Sequence, residues 1–126
     1  MRVMPDTNII ISAILRPSSN PAEVLLAICS KHEMVLSAYI INETKRVLGS
    51  KYPEALPVVQ KMLSTMTYEL VPEADRSDIS IADPKDQPIL DAAIAGNVDI
   101  IVSGDKHFKS LDIKRPKVMS PAEFLE

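Results

Sequence analysis

The chain has no tryptophan, 4% aromatic residues, three glycines and a single cysteine. Each shortage removes a class of chemistry. Few aromatics leave little material for base-stacking platforms. Gly49, Gly96 and Gly104 stand alone, so no phosphate-cradling loop of the Walker or dinucleotide-binding kind can be assembled. No serine lies in a G-x-S-x-G turn. Cys29 has no partner for an internal disulfide, and its place in Val24-Leu25-Leu26-Ala27-Ile28-Cys29 reads as a buried thiol in a reducing compartment. Neither His32 nor His107 has the nearby spacing partner expected of a zinc site. No apolar run approaches the roughly 18 to 20 residues of a membrane span. No basic leader with an apolar core and cleavage site is seen, so the expected location is cytoplasmic. A basic excess is lacking too: the formal net charge of −3 does not mark a strong nucleic-acid binder.

What is present is an ordinary globular composition, 46% hydrophobic and 25% charged, over 126 residues. That predicts one domain, residues 1–126, with enough chain to bury a core. Val3-Met4-Pro5 reads as a first strand, and a helix is expected from Thr7 to Leu15. After the loop Arg16 to Pro21, Asn20 can cap and Pro21 can open a second helix to about Ser30. Met34-Val35-Leu36 reads as a second strand, with Ser37 opening a third helix through Leu48 that Gly49 should stop. A fourth helix from Tyr52 to Met66, broken near Pro57, precedes a strand over Thr67 to Val71. An acidic loop, 73–85, leads to a helix from Asp86 to Ala95 with Gly96 or Asn97 as its stop. The buried strand Asp99 to Ser103, a short helical turn, a last strand near Val118 and a turn from Pro121 follow. Strands alternating with helices predict an α/β fold with a parallel sheet covered on both faces.

The charges are segregated. Segment 69–86 carries Glu69, Glu73, Asp75, Asp78, Asp83 and Asp86 against Arg76 and Lys85, whereas Lys106, Lys109, Lys114, Arg115 and Lys117 face only Asp112 within 106–117. A basic tract near a carboxylate cluster suits a site for phosphate esters, and it also suits a merely solvated surface.

Asp6 and Asp105 each follow an apolar strand, so in a parallel sheet both point to the same edge, where ligands bind. Either alone is as readily a turn former or helix cap. Asp86 lies in the middle of its helix's apolar stripe, among Ile89, Leu90 and Ala93, where a carboxylate needs a cation or hydrogen bonds to compensate its burial. Capping its own helix is the competing role. Glu43 sits at the border of the stripe formed by Ile40, Thr44 and Val47, where it can line a cleft. Asp91, about 140° around the helix from Asp86, should face away from the core. Asp83, before Pro84, fits a cap or turn. Four oxygen donors thus converge, Asp6, Glu43, Asp86 and Asp105, and hard carboxylates select Mg²⁺ or Mn²⁺. Such sites activate water for in-line displacement at phosphorus.

These stretches resemble the PIN domain family, in the branch that holds toxins of type II toxin–antitoxin pairs. The matching residues are Asp6-Thr7-Asn8, Leu36-Ser37 with Glu43 and Val47-Leu48, and Asp83-Pro84-Lys85-Asp86-Gln87-Pro88-Ile89-Leu90. Ile101-Val102-Ser103-Gly104-Asp105-Lys106-His107 and Ser120-Pro121-Ala122-Glu123-Phe124-Leu125 complete the ordered set. The resemblance implies a three-layer α/β/α sandwich and a Mg²⁺- or Mn²⁺-dependent endoribonuclease acting on single-stranded RNA. It also implies a homodimer and a small antitoxin that blocks the site. Position by position, Asp6, Glu43, Asp86 and Asp105 fall on the family's acidic residues, and Asn8 and Ser103 on its supporting polar positions. Asp6, Asp86 and Asp105 would hold the metal, Glu43 would assist, and Asp83 and Asp91 would help from further out. The basic tract Lys106, Lys109, Lys114, Arg115 and Lys117 would hold the RNA backbone. Two positions depart from the pattern: Pro5 stands where an apolar residue is usual, and Asp91 where a small or apolar one is.

A non-catalytic RNA-binding or oligomeric scaffold is the rival reading, distinguished by the absence of metal-dependent cleavage and of stabilisation by Mn²⁺. An aspartyl phosphatase would generally place a second acid two residues after its nucleophile, where this chain has Asn8.

Overall fold

A computed structural model describes residues 1–126. The elements are β1 (Arg2–Pro5), α1 (Thr7–Leu15), α2 (Asn20–Lys31), β2 (Glu33–Ser37), α3 (Ala38–Lys51), a 3₁₀ turn (Pro53–Ala55), α4 (Leu56–Thr65) and β3 (Glu69–Val71). They continue with α5 (Gln87–Ala95), β4 (Ile100–Val102), α6 (Lys106–Lys109), β5 (Lys117–Met119) and α7 (Pro121–Leu125). All five strands are parallel, in the order β3-β2-β1-β4-β5.

The chain winds outwards from β1 through β2 to β3, then returns to β1's other side and winds outwards again. With right-handed crossovers, that reversal puts α1 to α4 on one face and α5 on the other, giving three layers. It also makes the gap between β1 and β4 the switch point, where the two outgoing loops part and a crevice opens at the strands' carboxyl ends. The register Pro5↔Val102 brings Asp6 level with the residues that follow β4. The Asp6 amide continues the ladder by donating to the Val102 carbonyl at 3.0 Å. Pro5 interrupts no bond towards β2, because that pairing reaches only Val3↔Met34.

Strands covered on both faces must be apolar along their covered length, and the central strands β1, β2 and β4 are. Val3, Met4, Val35, Leu36, Ile101 and Val102 are fully buried in one cluster of 23 core residues, which leaves the sheet no solvent face at its centre. Phe108, also fully buried, pins the short α6 to this core.

Several boundaries differ from the sequence reading, for local reasons. Ser19, not Asn20, caps α2, its hydroxyl accepting the Ala22 amide at 3.5 Å, while Pro21 sits in the first turn as expected. Helix α3 runs through Gly49 to Lys51, because one helical glycine costs only about 1 kcal/mol. The stop comes at Tyr52, which precedes Pro53 and is pushed out of helical geometry. The expected fourth helix is a 3₁₀ turn followed by α4, with Pro57 in the first turn of α4. Helix α5 ends with Asn97 in the left-handed region at φ 53°, whereas Gly96 is required for space: a Cβ there would stand 2.8 Å from Val71 Cγ2. Cys29 is exposed, not buried, because α2 buries only the stripe of Val24, Leu25 and Ile28. No helix is long and apolar enough to cross a membrane.

Candidate metal centre

At the carboxyl edge of β1 and β4 lies a cleft of about 310 Å³. Asp6, Glu43, Asp86 and Asp105 all line it, joined by Asp83. Arg46, Lys51 and Lys85 are the cations on its walls, so five carboxylates face three positive charges.

Asp6 is both a helix cap and a cleft residue. Its Oδ1 accepts the Ile9 amide at 2.9 Å, and its Oδ2 accepts the Ser103 hydroxyl. A carboxylate has about four lone-pair directions, so these two bonds orient Asp6 without exhausting it. Ser103, fully buried, also takes the Asp105 amide on its Oγ at 3.0 Å and thereby ties the turns after β1 and β4 together. Burial pushes the Asp6 pKa up to about 6; Ser103 and Ile9 oppose the rise, and Asp105 and Glu43 add to it.

Asp105 caps α6 in the same way, its Oδ1 accepting the His107 amide at 2.7 Å. Glu43 is held from its own helix: the Tyr39 hydroxyl donates to Oε2 at 2.9 Å, and Arg46 Nη2 lies 3.8 Å from the same oxygen. The Tyr39 hydroxyl is in turn pushed up to about 12, by burial first and then by the bond to Glu43.

Asp86 differs from all of these. It occupies the cap position of α5, yet its side chain makes no capping bond. The residue is 9% exposed and Oδ2 is buried without any hydrogen-bond partner. Its pKa rises to about 7, first through burial and then through Asp105, Asp83 and Asp6, against a smaller opposing effect of His107. A buried carboxylate oxygen with no donor, among other carboxylates, is the chemistry of a divalent-cation site.

The structure corrects the sequence reading at several positions. Asp91 does not face solvent: it is 6% exposed and accepts hydrogen bonds from the Ser77 amide (3.0 Å), the Ser77 hydroxyl (2.7 Å) and Gln87 Nε2 (2.8 Å). Helix α5 is covered on two sides, by the sheet on one and on the other by the acidic loop, whose Ser77, Ile79 and Ile81 bond to Asp91 and Gln87. Asp91 therefore moors that loop and does not line the acidic cleft. Asp83 keeps the turn role expected of it, accepting the Lys85 amide at 3.0 Å, but also lies in the cleft. Asn8 lines the cleft from an exposed position.

The basic tract is dispersed. Arg115 sits by the start of β4, 3.0 Å from Asp99 and bonded to the Asn97 carbonyl, while Lys117 opens β5. Both lie at the amino ends of parallel strands, opposite the carboxylates. Lys109 approaches Glu123 at 3.8 Å, and Lys114 is exposed in the loop before β5. Only Lys106 adjoins Asp105 directly. The cations actually placed on the cleft, Arg46, Lys51 and Lys85, were not among the RNA-holding residues expected from the sequence. Arg46 and Lys51 follow Glu43 and Val47 at helical spacings on α3, a legible signal, and Lys85 lies between two cleft acids. Thr7 was missed as well; its Oγ1 is buried without a partner on the cleft wall.

The family model of the PIN domain matches residues 2–107. The chain belongs to the PIN domain family. Its fold is also similar to a crystal structure of VapBC2 from Rickettsia felis bound to a DNA fragment from their promoter, with a TM-score of 0.73 and 17% identity. That likeness covers 95% of this chain and 98% of that one. No curated protein matches. PIN domains are in general nucleases, and in this member the acidic cleft occupies the switch point of the sheet.

Proposed function

We propose that this PIN domain is a metal-dependent endoribonuclease that cleaves phosphodiesters of single-stranded RNA, as the toxin of a toxin–antitoxin pair. The observation that carries the reading is Asp86: a buried, partnerless carboxylate oxygen in a cleft that holds four further acids. Asp6, Asp86 and Asp105 would hold Mg²⁺ or Mn²⁺. A divalent cation bound there supplies charge to the phosphate oxygens and lowers the pKa of attacking water. Glu43, steadied by Tyr39, would orient that water. Ser103 keeps Asp6 ionised and aimed, and Asn8 adds a polar contact at the rim. Arg46, Lys51, Lys85 and Lys106 would hold the phosphates on either side, weakly and with salt dependence.

Partner and setting belong to the same proposal. An apolar groove of about 440 Å³ between α1, α2 and α4, with Leu25, Leu26, Val58 and Met62 on its walls, offers a seat for an amphipathic antitoxin segment. Leu26 and Val58 are largely exposed there, and the likeness to VapBC2 supports this partner. A cytoplasmic homodimer is the form in which we expect the protein to work.

The decisive assay is cleavage of single-stranded RNA with Mg²⁺ or Mn²⁺ by wild type and Asp6→Asn. Metal-dependent cleavage by wild type alone supports the reading. Equal cleavage by both would assign the activity to a contaminant or another site.

A further inference from the structure

Four donors from two separate segments meet on one side of the cleft. One carboxylate oxygen each from Asp83, Asp86 and Asp105, together with a ring nitrogen of His107, lie within 4.8 Å of one another. Ligands at opposite poles of a cation with bonds of about 2.1 Å stand about 4.2 Å apart, so small side-chain rotations would close this set on one ion. The segments are firmly held. Phe108 anchors α6, Asp105 caps it, and Asp83 and Asp86 flank the turn that opens α5. Two of the donors lack ordinary partners: Asp86 Oδ2 is buried with none, and His107 Nδ1 makes no hydrogen bond although it stands 3.2 Å from Asp105 Oδ1 and 4.0 Å from Asp83 Oδ2.

We propose that Asp83, Asp86, Asp105 and His107 form a three-oxygen, one-nitrogen site for a first-row transition-metal dication, and that His107 makes it prefer Mn²⁺ to Mg²⁺. An all-carboxylate set suits Mg²⁺ and Mn²⁺ alike, whereas imidazole is a donor for transition metals and a poor one for Mg²⁺. The inference rests on the metal-centre reading above and extends it: the set shares Asp86 and Asp105 with that centre, and Asp83 and His107 bring a metal preference that carboxylates alone would not provide.

The test uses the full chain and Mn²⁺ alone, without RNA. Pulsed electron paramagnetic resonance of bound Mn²⁺ should show coupling to a ¹⁴N nucleus in wild type and in His32→Asn, whose ring packs on Phe124. The coupling should vanish in His107→Asn. Equilibrium titrations should find Mn²⁺ affinity reduced about tenfold or more in His107→Asn, with Mg²⁺ affinity little changed. Asp83→Asn should weaken Mn²⁺ similarly while keeping the ¹⁴N signal. Mn²⁺ bound by wild type without ¹⁴N coupling, or an unchanged Mn²⁺ to Mg²⁺ ratio in His107→Asn, would overturn this proposal and leave the metal centre standing. Undiminished Mn²⁺ binding by Asp86→Asn would overturn both.

Discussion

Asp86 and Asp91 lie five positions apart, before and within α5, and both are withdrawn from water, yet their chemistry is opposite. Asp91 receives three donors on its Oδ1, the Ser77 amide and hydroxyl and Gln87 Nε2. Burial alone would raise its pKa, but those hydrogen bonds and the charge of Arg76 outweigh burial, and the pKa is lowered. Asp86 has an oxygen with no donor and carboxylate neighbours, and its pKa climbs to about 7. Burial of a charge is therefore no mark of function by itself. What separates the two is whether the protein furnishes the compensation or leaves it to a ligand.

Exchanging the two carboxylates' fates should be visible experimentally. The largest effect is expected for Asp86→Asn, which should lower metal-dependent RNA cleavage by about 100-fold or more, as steady-state rates would show. The metal-free variant should melt no lower than wild type, because a partnerless buried charge has been removed. Asp91→Ala should do the reverse. It strands the donors of Ser77 and Gln87 and costs about 1–3 kcal/mol in denaturant unfolding, with cleavage per folded molecule close to normal.

The pH dependence of the metal-free protein sharpens the contrast. Asp6 and Asp86 have folded pKa values of about 6 and 7, above the ordinary 3.8. The folded state thus holds protons that the unfolded chain has released, and stability falls as pH rises from about 4 to 7. Saturating Mn²⁺ should restore it above pH 7. Asp86→Asn should flatten the upper part of this decline, and a decline undiminished in that variant would mean that other groups cause it. The smallest effect is expected from Ser103→Ala. It removes the hydroxyl that lowers the Asp6 pKa, so the acid limb of the metal-affinity profile should move to higher pH, at a stability cost of about 1 kcal/mol.

Much of the fold was legible because it is written in local periodicity. The apolar runs at Val3, Met34 and Ile100, the cap at Ser37 and the proline opening α2 all act within a few residues. Errors arose where two local signals competed. Gly49 looked like a stop but is overruled by the proline after Tyr52, and the apolar run around Cys29 exceeds the width of the buried face. At the site, Asp6 and Asp105 could be paired because a parallel sheet aligns its strand ends, and Asp86 because its place in an apolar stripe is anomalous. His107 was set aside as a metal ligand because it has no partner nearby in sequence; Asp83 and Asp86, beside it in the fold, are some twenty residues earlier. Asp91 was misplaced because a helical wheel cannot see a loop folding over its far side.

The sequence by itself determined the alternation of strands and helices, the apolar centre of the sheet and the positions of carboxylates at strand ends, since each depends on contacts within a turn or two. Only the tertiary structure decided which of those carboxylates lack partners. Compensation of a buried charge is a non-local matter: Ser77 reaches Asp91, and Ser103 reaches Asp6 across nearly the whole chain, while nothing reaches Asp86 Oδ2.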